Sequence, residues 1–218
     1  RSEQPFYRAE LWDPVSGTVK GLLSQAYGPY RRVRLDLERA QNAFIVFRTK
    51  GALPPVEEPQ TGNPVELKDW PLSFPEGWGA AAQLKPDSLR AWKDLPMTAE
   101  GRAFSGTAVY KTSFDWDGEC GAAVLDLGRV DMIADVRVNG EKAGVLWATP
   151  YRLDIGKWVK PGRNELEVYV TSTWYNRLVY DASLPEAARK TWTIAGPDAG
   201  SPLHESGLLG PVKLTPYE

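Results

Sequence analysis

The 218-residue chain has one cysteine and one histidine, and each scarcity closes off a class of chemistry. With Cys120 alone, no intrachain disulfide can form and no cysteine-built metal site is possible. That usage fits a reducing compartment, or an exported bacterial protein that dispenses with disulfides, and does not separate the two. With His204 alone there is no His-x-x-x-His pair, so the favoured reading of His204 is a loop histidine bonded to backbone rather than a metal ligand or general base. No apolar run approaches the roughly 18 residues that span a bilayer. No Lys/Arg tract stands out beyond Arg31, Arg32 and Arg34 in an expected strand, and the formal charge is −2, which argues against a phosphate-backbone footprint and so against nucleic acid as a partner. The P-loop and the Gly-x-Ser-x-Gly elbow are absent. Gly77-Trp-Gly79-Ala-Ala-Ala82 imitates a dinucleotide fingerprint but lacks strand-turn-helix surroundings.

What is plentiful is aromatic: nine Trp and nine Tyr, residues that fill β-sandwich cores or offer stacking faces to sugars and proteins. Period-two alternation dominates the second half. Val136, Val138 and, past Asn139-Gly140, Val145 and Trp147 are spaced to line one sheet face, and Asn-Gly between β-rich runs is a strong hairpin signal. Thr107 to Trp116 alternates, Ala122 to Leu127 reads as a buried strand, and Leu166, Val168 and Val170 alternate with Glu165, Glu167 and Tyr169. Earlier, Glu10 to Trp12 reads as a strand entering the Pro14/Gly17 turn. Arg31 to Glu38 reads as a strand with Val33, Leu35 and Leu37 on one face, and Asn42 to Arg48 as a strand buried on both faces. Gly51 to Pro64 is a proline-stiffened linker. Pro75 to Gly101 is irregular, with Leu89, Trp92 and Leu95 forming at most a helical turn. Trp174 to Thr191 has no clear period, and Pro185 to Arg189 starts a short helix. Many short strands with no long helical period mean an all-β sandwich. Its expected organisation is a β-rich segment over 1–60, closing a preceding domain, and a sandwich over 61–218. Because the chain begins at Arg1 with no signal-like segment, we expect its native N-terminus to lie elsewhere.

A series of motifs in order carries a family resemblance. They are Phe104–Phe114, Leu125–Val130, Val136–Gly140, Gly144–Tyr151, Gly162–Val168, Trp174–Leu178 and Ser206–Val212, preceded by Leu11–Pro14 with Gly17 and by Phe44–Arg48. Together they resemble the C-terminal β-sandwich of glycoside hydrolase family 106, the α-L-rhamnosidases, itself similar to the sugar-binding jelly roll of family 2 enzymes within the galactose-binding-like fold. The resemblance implies a galactose-binding-like jelly roll, a catalytic barrel supplied elsewhere in the same polypeptide, and a periplasmic or secreted setting. One departure is Tyr180, where the family often has Gly, placing an extra aromatic in that segment.

A glycosidase needs two carboxyl groups about 5 to 9 Å apart. Asp181 and Glu205 are the acids worth testing, and a solvated or turn-forming role is the stronger expectation for both. Asp115, Asp117 and Glu119 crowd a turn where a structural calcium is conceivable, but a plain hairpin tip fits better, so no cofactor is expected. Binding is better supported than catalysis. Trp174, Asn176, Arg177, Tyr180 and Asp181 share a segment, and Trp192, His204 and Glu205 lie in loops a jelly roll brings to one end, giving aromatic faces beside polar groups suited to carbohydrate. Trp147 and Tyr151 bracket another loop. The competing readings are a buried Arg177–Asp181 ion pair and aromatics that pack on the missing catalytic domain.

Overall fold

A computed structural model of the protein describes residues 8–37, 41–51, 54, 61–117 and 123–217. Two compact units divide the chain, 1–60 with 148–150, and 61–147 with 151–218. In the first, β1 (Arg8–Trp12), β2 (Val19–Leu22), β3 (Ser24–Tyr27), β4 (Tyr30–Val33) and β5 (Phe44–Arg48) form an antiparallel β2-β1-β5 sheet and a β3-β4 hairpin. Two sequence expectations fail here. The strand begun at Arg31 stops at Val33, and Leu35 and Leu37 are exposed, so its alternation marks no buried face. β5 is an edge strand with Phe44 62% and Phe47 44% exposed in this chain, not a strand buried on both sides.

The second unit contains β6 (Val65–Glu66), β7 (Leu72–Ser73), β8 (Gln83–Leu84), β9 (Thr107–Trp116), β10 (Ala123–Asp126), β11 (Arg129–Val130), β12 (Ile133–Val138), β13 (Glu141–Leu146), β14 (Arg152–Asp154), β15 (Gly162–Thr171), β16 (Leu208–Gly210) and β17 (Lys213–Pro216). A six-stranded sheet runs β13-β12-β15-β9-β7-β8, a four-stranded sheet β14-β10-β17-β6, and β11 pairs with β16. Alternation does the sorting. Ala108, Tyr110, Phe114 and Trp116 of β9 and Leu166, Val168 and Val170 of β15 turn inward, meeting Ala123, Leu125 and Leu214 in one core. The fold is an all-β sandwich.

The β12-β13 hairpin departs from the expected pattern by one residue. Asn139 and Gly140 take positive φ, 52° and 83°, as a tight turn requires. Further along, Val136 pairs with Gly144 and Arg137 with Lys142, leaving Ala143 as a bulge. An extra residue reverses every later side chain. Val136 and Val138 therefore point inward with Leu146, while Val145 and Trp147 are 41% and 57% exposed. The expectation that Val136, Val138, Val145 and Trp147 line one sheet face is corrected accordingly.

The turn is also locked from below. Asn164 is fully buried; its Nδ2 donates to the Lys160 and Gly162 carbonyls at 2.7 and 2.9 Å, and its Oδ1 accepts from Lys160 N and Asn139 Nδ2, both at 2.9 Å. Truncating it strands buried backbone groups, each costing about 1–3 kcal/mol when unpaired. We expect Asn164→Ala to lose about 2 kcal/mol in urea unfolding, with little change in the denaturant slope.

Two α-helices are present among the described residues, α1 (Ala99–Arg102) and α2 (Tyr175–Ala182). Pro185 precedes a 3-10 turn at Glu186–Ala188, as its placement suggested, and Trp92–Asp94 forms another. The two-turn helix α2 falls in the segment that showed no period. Its buried stripe is Asn176, Arg177, Val179 and Asp181, three polar residues out of four, so apolar periodicity could not reveal it.

Candidate functional site

Eight residues were nominated for sugar binding, and α2 sorts them into an interior set and an exterior set. At 1.5 Å per residue α2 is about 12 Å long, and its two ends serve different loops. Near its start, Asn176 Nδ2 donates to His204 O at 2.9 Å while Oδ1 accepts from His204 N at 2.8 Å, so one side-chain amide holds the backbone of the 201–206 loop. Arg177, 1% exposed, donates from Nη1 to Glu100 of α1 at 2.9 Å and from Nη2 to Asp181 at 2.7 Å. The i,i+4 spacing of Arg177 and Asp181 puts both on one helix face. The anticipated buried ion pair is thus present.

Asp181 does more than neutralise Arg177. Its Oδ2 accepts from Lys190 N at 3.1 Å, Thr191 N at 2.7 Å and Thr191 Oγ1 at 2.6 Å, pinning the base of the loop that carries Trp192. Burial pushes this carboxyl up, but the Arg177 and Thr191 bonds outweigh burial and hold it below the usual carboxylate value. Hydrogen bonds from Arg177 and Lys190 hold Glu100 low as well. The rings of Tyr180 and Trp78 lie 5.2 and 5.4 Å from the Arg177 guanidinium carbon. The aromatic at position 180 therefore packs on a buried cation. Arg177 Nε is buried without a hydrogen-bond partner.

The exterior set consists of Trp174, Trp192, His204 and Glu205. Trp174 is 48% exposed and leans on Trp78, ring centroids 5.3 Å apart. His204 stacks flat on Tyr175 at 3.8 Å. Glu205 pairs with Arg129 at 2.8 Å. Trp192 is 78% exposed and borders a recess of about 140 Å³ with Leu178, Asp181, Arg189, Thr193 and Pro197. Asp181 and Glu205 are each held by a different arginine, Arg177 and Arg129, so their environments are those of two separate ion pairs. Tyr151 is buried and donates to Met132 O at 2.8 Å, whereas Trp147 is exposed.

Sequence reasoning missed Glu100, Trp78, Thr191 and Arg189, all brought to α2 from separate loops or from α1. The Arg-x-x-x-Asp spacing was a usable signal for the helix; nothing local marks the rest. Gly77–Ala82 sits in turns between β7 and β8, not between a strand and a helix. Cys120 and the Gly118–Glu119 part of the calcium candidate lie outside the described residues. Among the described residues no group of three or more His, Cys, Asp or Glu is arranged to hold a metal, and no helix is long and apolar enough to cross a membrane.

The chain is similar to parts of larger proteins. A family model described as "Glycosyl hydrolase 2 galactose-binding domain-like" matches residues 98–210. A Formosa agariphila protein named "Putative beta-glucuronidase" is 35% identical over 174 residues, which is 66% of this chain and 15% of that protein. The structure of a rhamnosidase from Novosphingobium sp. PP1Y aligns with a TM-score of 0.79 at 34% identity, over 95% of this chain and 20% of that one. A Ruminococcus gnavus β-glucuronidase aligns at a TM-score of 0.53 and 19% identity, over 76% of this chain and 30% of that one, a likeness of fold alone. The chain therefore spans about one fifth or less of the Formosa and Novosphingobium proteins.

Proposed function

This chain belongs to the glycosyl hydrolase 2 galactose-binding domain-like family, and from that premise we propose that it is a non-catalytic, carbohydrate-binding accessory module of a larger bacterial glycoside hydrolase acting on polysaccharide. The finer assignment we propose is a family 106, α-L-rhamnosidase-like enzyme, supported by the ordered sequence motifs and by the 34% identity to the Novosphingobium rhamnosidase. Its partners would be carbohydrate and the catalytic domain of its own polypeptide, in the periplasm or outside the cell.

The observation that carries the binding reading is Trp192: a large indole, 78% exposed, beside a recess whose loop base is fixed by Asp181. Indole faces stack on the apolar faces of pyranose rings, and a pinned loop loses little entropy on binding. The mechanism is positioning, holding a glycan where a neighbouring domain cuts it. The non-catalytic reading rests on the nominated acids, each tied up in its own arginine pair.

A structural role, packing on the catalytic domain without touching sugar, is the second reading. It is favoured by Met132, Ile133, Val145 and Trp147, an exposed apolar group at one end of the β12-β13 hairpin. Calorimetric titration with rhamnose- and galacturonate-containing oligosaccharides separates the two. The binding reading expects saturable heat, an affinity about tenfold weaker in Trp192→Ala, and a smaller change in Trp174→Ala, whose ring leans on Trp78. No heat with any glycan from the folded protein favours the structural reading.

A further inference from the structure

Around α2 the buried and half-buried charges compensate one another. Arg177 meets Asp181 and Glu100, and Lys190 meets Glu100, so two cations face two carboxylates. Arg189 is the remaining charged group on the Trp192 recess. Its Nε donates to Leu184 O at 3.0 Å, which anchors the guanidinium stem, and among the described residues no acid pairs with its terminal nitrogens. The one carboxylate on the recess, Asp181, is spent: Oδ1 on Arg177 and Oδ2 on three donors of Lys190 and Thr191. The recess is thus lined by an exposed indole and by an arginine with no acid partner among the described residues, while the Thr193 hydroxyl already donates to Ala195 O at 3.3 Å.

We infer that this recess receives an acidic sugar, a hexuronate residue whose ring lies against Trp192 and whose carboxylate is taken by the terminal N–H groups of Arg189. The inference rests on the carbohydrate-binding reading above and adds the requirement for a carboxylate. A guanidinium presents parallel donors that match a carboxylate in two-point contact, an arrangement that lysine cannot reproduce. The recess is small, about 140 Å³, so the ring would lie across its mouth against the indole. A neutral sugar would leave Arg189 without a charged partner and gain only the stacking contact.

The test is calorimetric titration of the whole chain, at low salt, with methyl glucuronide and methyl galacturonide against methyl glucoside and methyl galactoside. Galactose 6-sulfate serves as an anion of different shape. The expected result is uronate affinity about tenfold or more above the neutral sugar, narrowed by about 0.5 M salt. Arg189→Gln should bring the uronate down to the neutral level, and Arg189→Lys should restore only part of the difference. Arg189 is exposed, and far-ultraviolet circular dichroism verifies that both variants fold. Equal affinity for acid and neutral sugars, or a uronate preference that survives Arg189→Gln, overturns the inference and leaves the carbohydrate reading standing. A sulfate preferred over both uronates overturns the carboxylate assignment. Failure of every sugar to bind overturns the carbohydrate reading itself and this inference with it.

Discussion

Arg177→Met is expected to cost about 3–5 kcal/mol at neutral pH, a large share of the stability of a domain this size. The variant removes the partner of a buried carboxylate, since the Arg177 and Asp181 side chains are 1% and 2% exposed. Glu100 loses a charge-assisted bond at the same time. The dependence on pH separates this explanation from lost packing. In the native protein Asp181 and Glu100 are held below their ordinary values, so they stabilise fully above that range, and the contribution fades as pH falls below about 4. In the variant, burial acts on Asp181 without its counter-ion and raises the carboxyl; the penalty is then greatest at neutral pH and shrinks as the acid is protonated. Urea unfolding at pH 7 and pH 4 should show the gap between native and variant closing at the lower pH. A gap of constant size would mean that the guanidinium acts only as filler. Arg177→Met combined with Asp181→Asn should recover part of the loss, because the amide removes the uncompensated charge while its oxygen can still accept from Lys190 and Thr191.

The second large effect is expected at Trp92. This side chain is fully buried and packs edge-on against Phe74 and Phe104, with ring centroids 5.7 and 5.3 Å away. Its Nε1 donates to Tyr110 Oη at 2.6 Å, and the same oxygen accepts from Leu208 N at 3.1 Å. Burial pushes the Tyr110 phenol up to about 12, so it remains protonated across the working range. Trp92→Ala should lose about 3–5 kcal/mol through lost contacts and the cavity left behind, measured as a fall in thermal midpoint by calorimetry. Tyr110→Phe should cost less, about 1–3 kcal/mol, because it keeps the packing and strands two donors. Gly207 belongs to the same cluster. It sits at φ +114°, and a Cβ there would lie 2.6 Å from Trp92 Nε1, so the position requires glycine for both conformation and room. If Trp92→Ala melted within a few degrees of the native protein, this cluster would not be the support of the sandwich end that carries β16.

How much of this was legible follows from what each residue does. The alternating strands β9 and β15 could be read because inner and outer residues differ in polarity at period two. The Asn139-Gly140 turn could be read because few residue pairs tolerate two successive positive φ values. The bulge at Ala143 was missed because Lys142 and Ala143 carry no mark of an unpaired position; the one local hint is Gly144 beside it, a residue that inside a strand pattern often signals a bulge. Trp92 lies outside the long strands, where periodicity is silent, so its burial is a tertiary fact. Helix α2 was hidden because its interior stripe is polar, and the same stripe made Asn176, Arg177 and Asp181 look like ligand-binding groups. The structure shows all three bonded within the protein, holding the loops on which Trp192 and His204 sit. Trp192 was nominated from its residue type and from its place in a loop that a jelly roll brings to the same end as His204 and Glu205. The recess beside it, and Arg189 on that recess, depend on how the 185–197 segment folds back on α2, information spread across residues with no common period.

The measurement that bears most directly on the account is a nuclear magnetic resonance titration of the nitrogen-15-labelled chain with a uronate-containing rhamno-oligosaccharide, following the indole N–H signals while assaying for new reducing ends. Trp192→Phe identifies the relevant signal among the nine tryptophans. A module that binds without cutting predicts a saturable shift of the Trp192 indole and no rise in reducing ends. An unmoved Trp192 signal at saturating glycan, or the appearance of cleaved product, would contradict it.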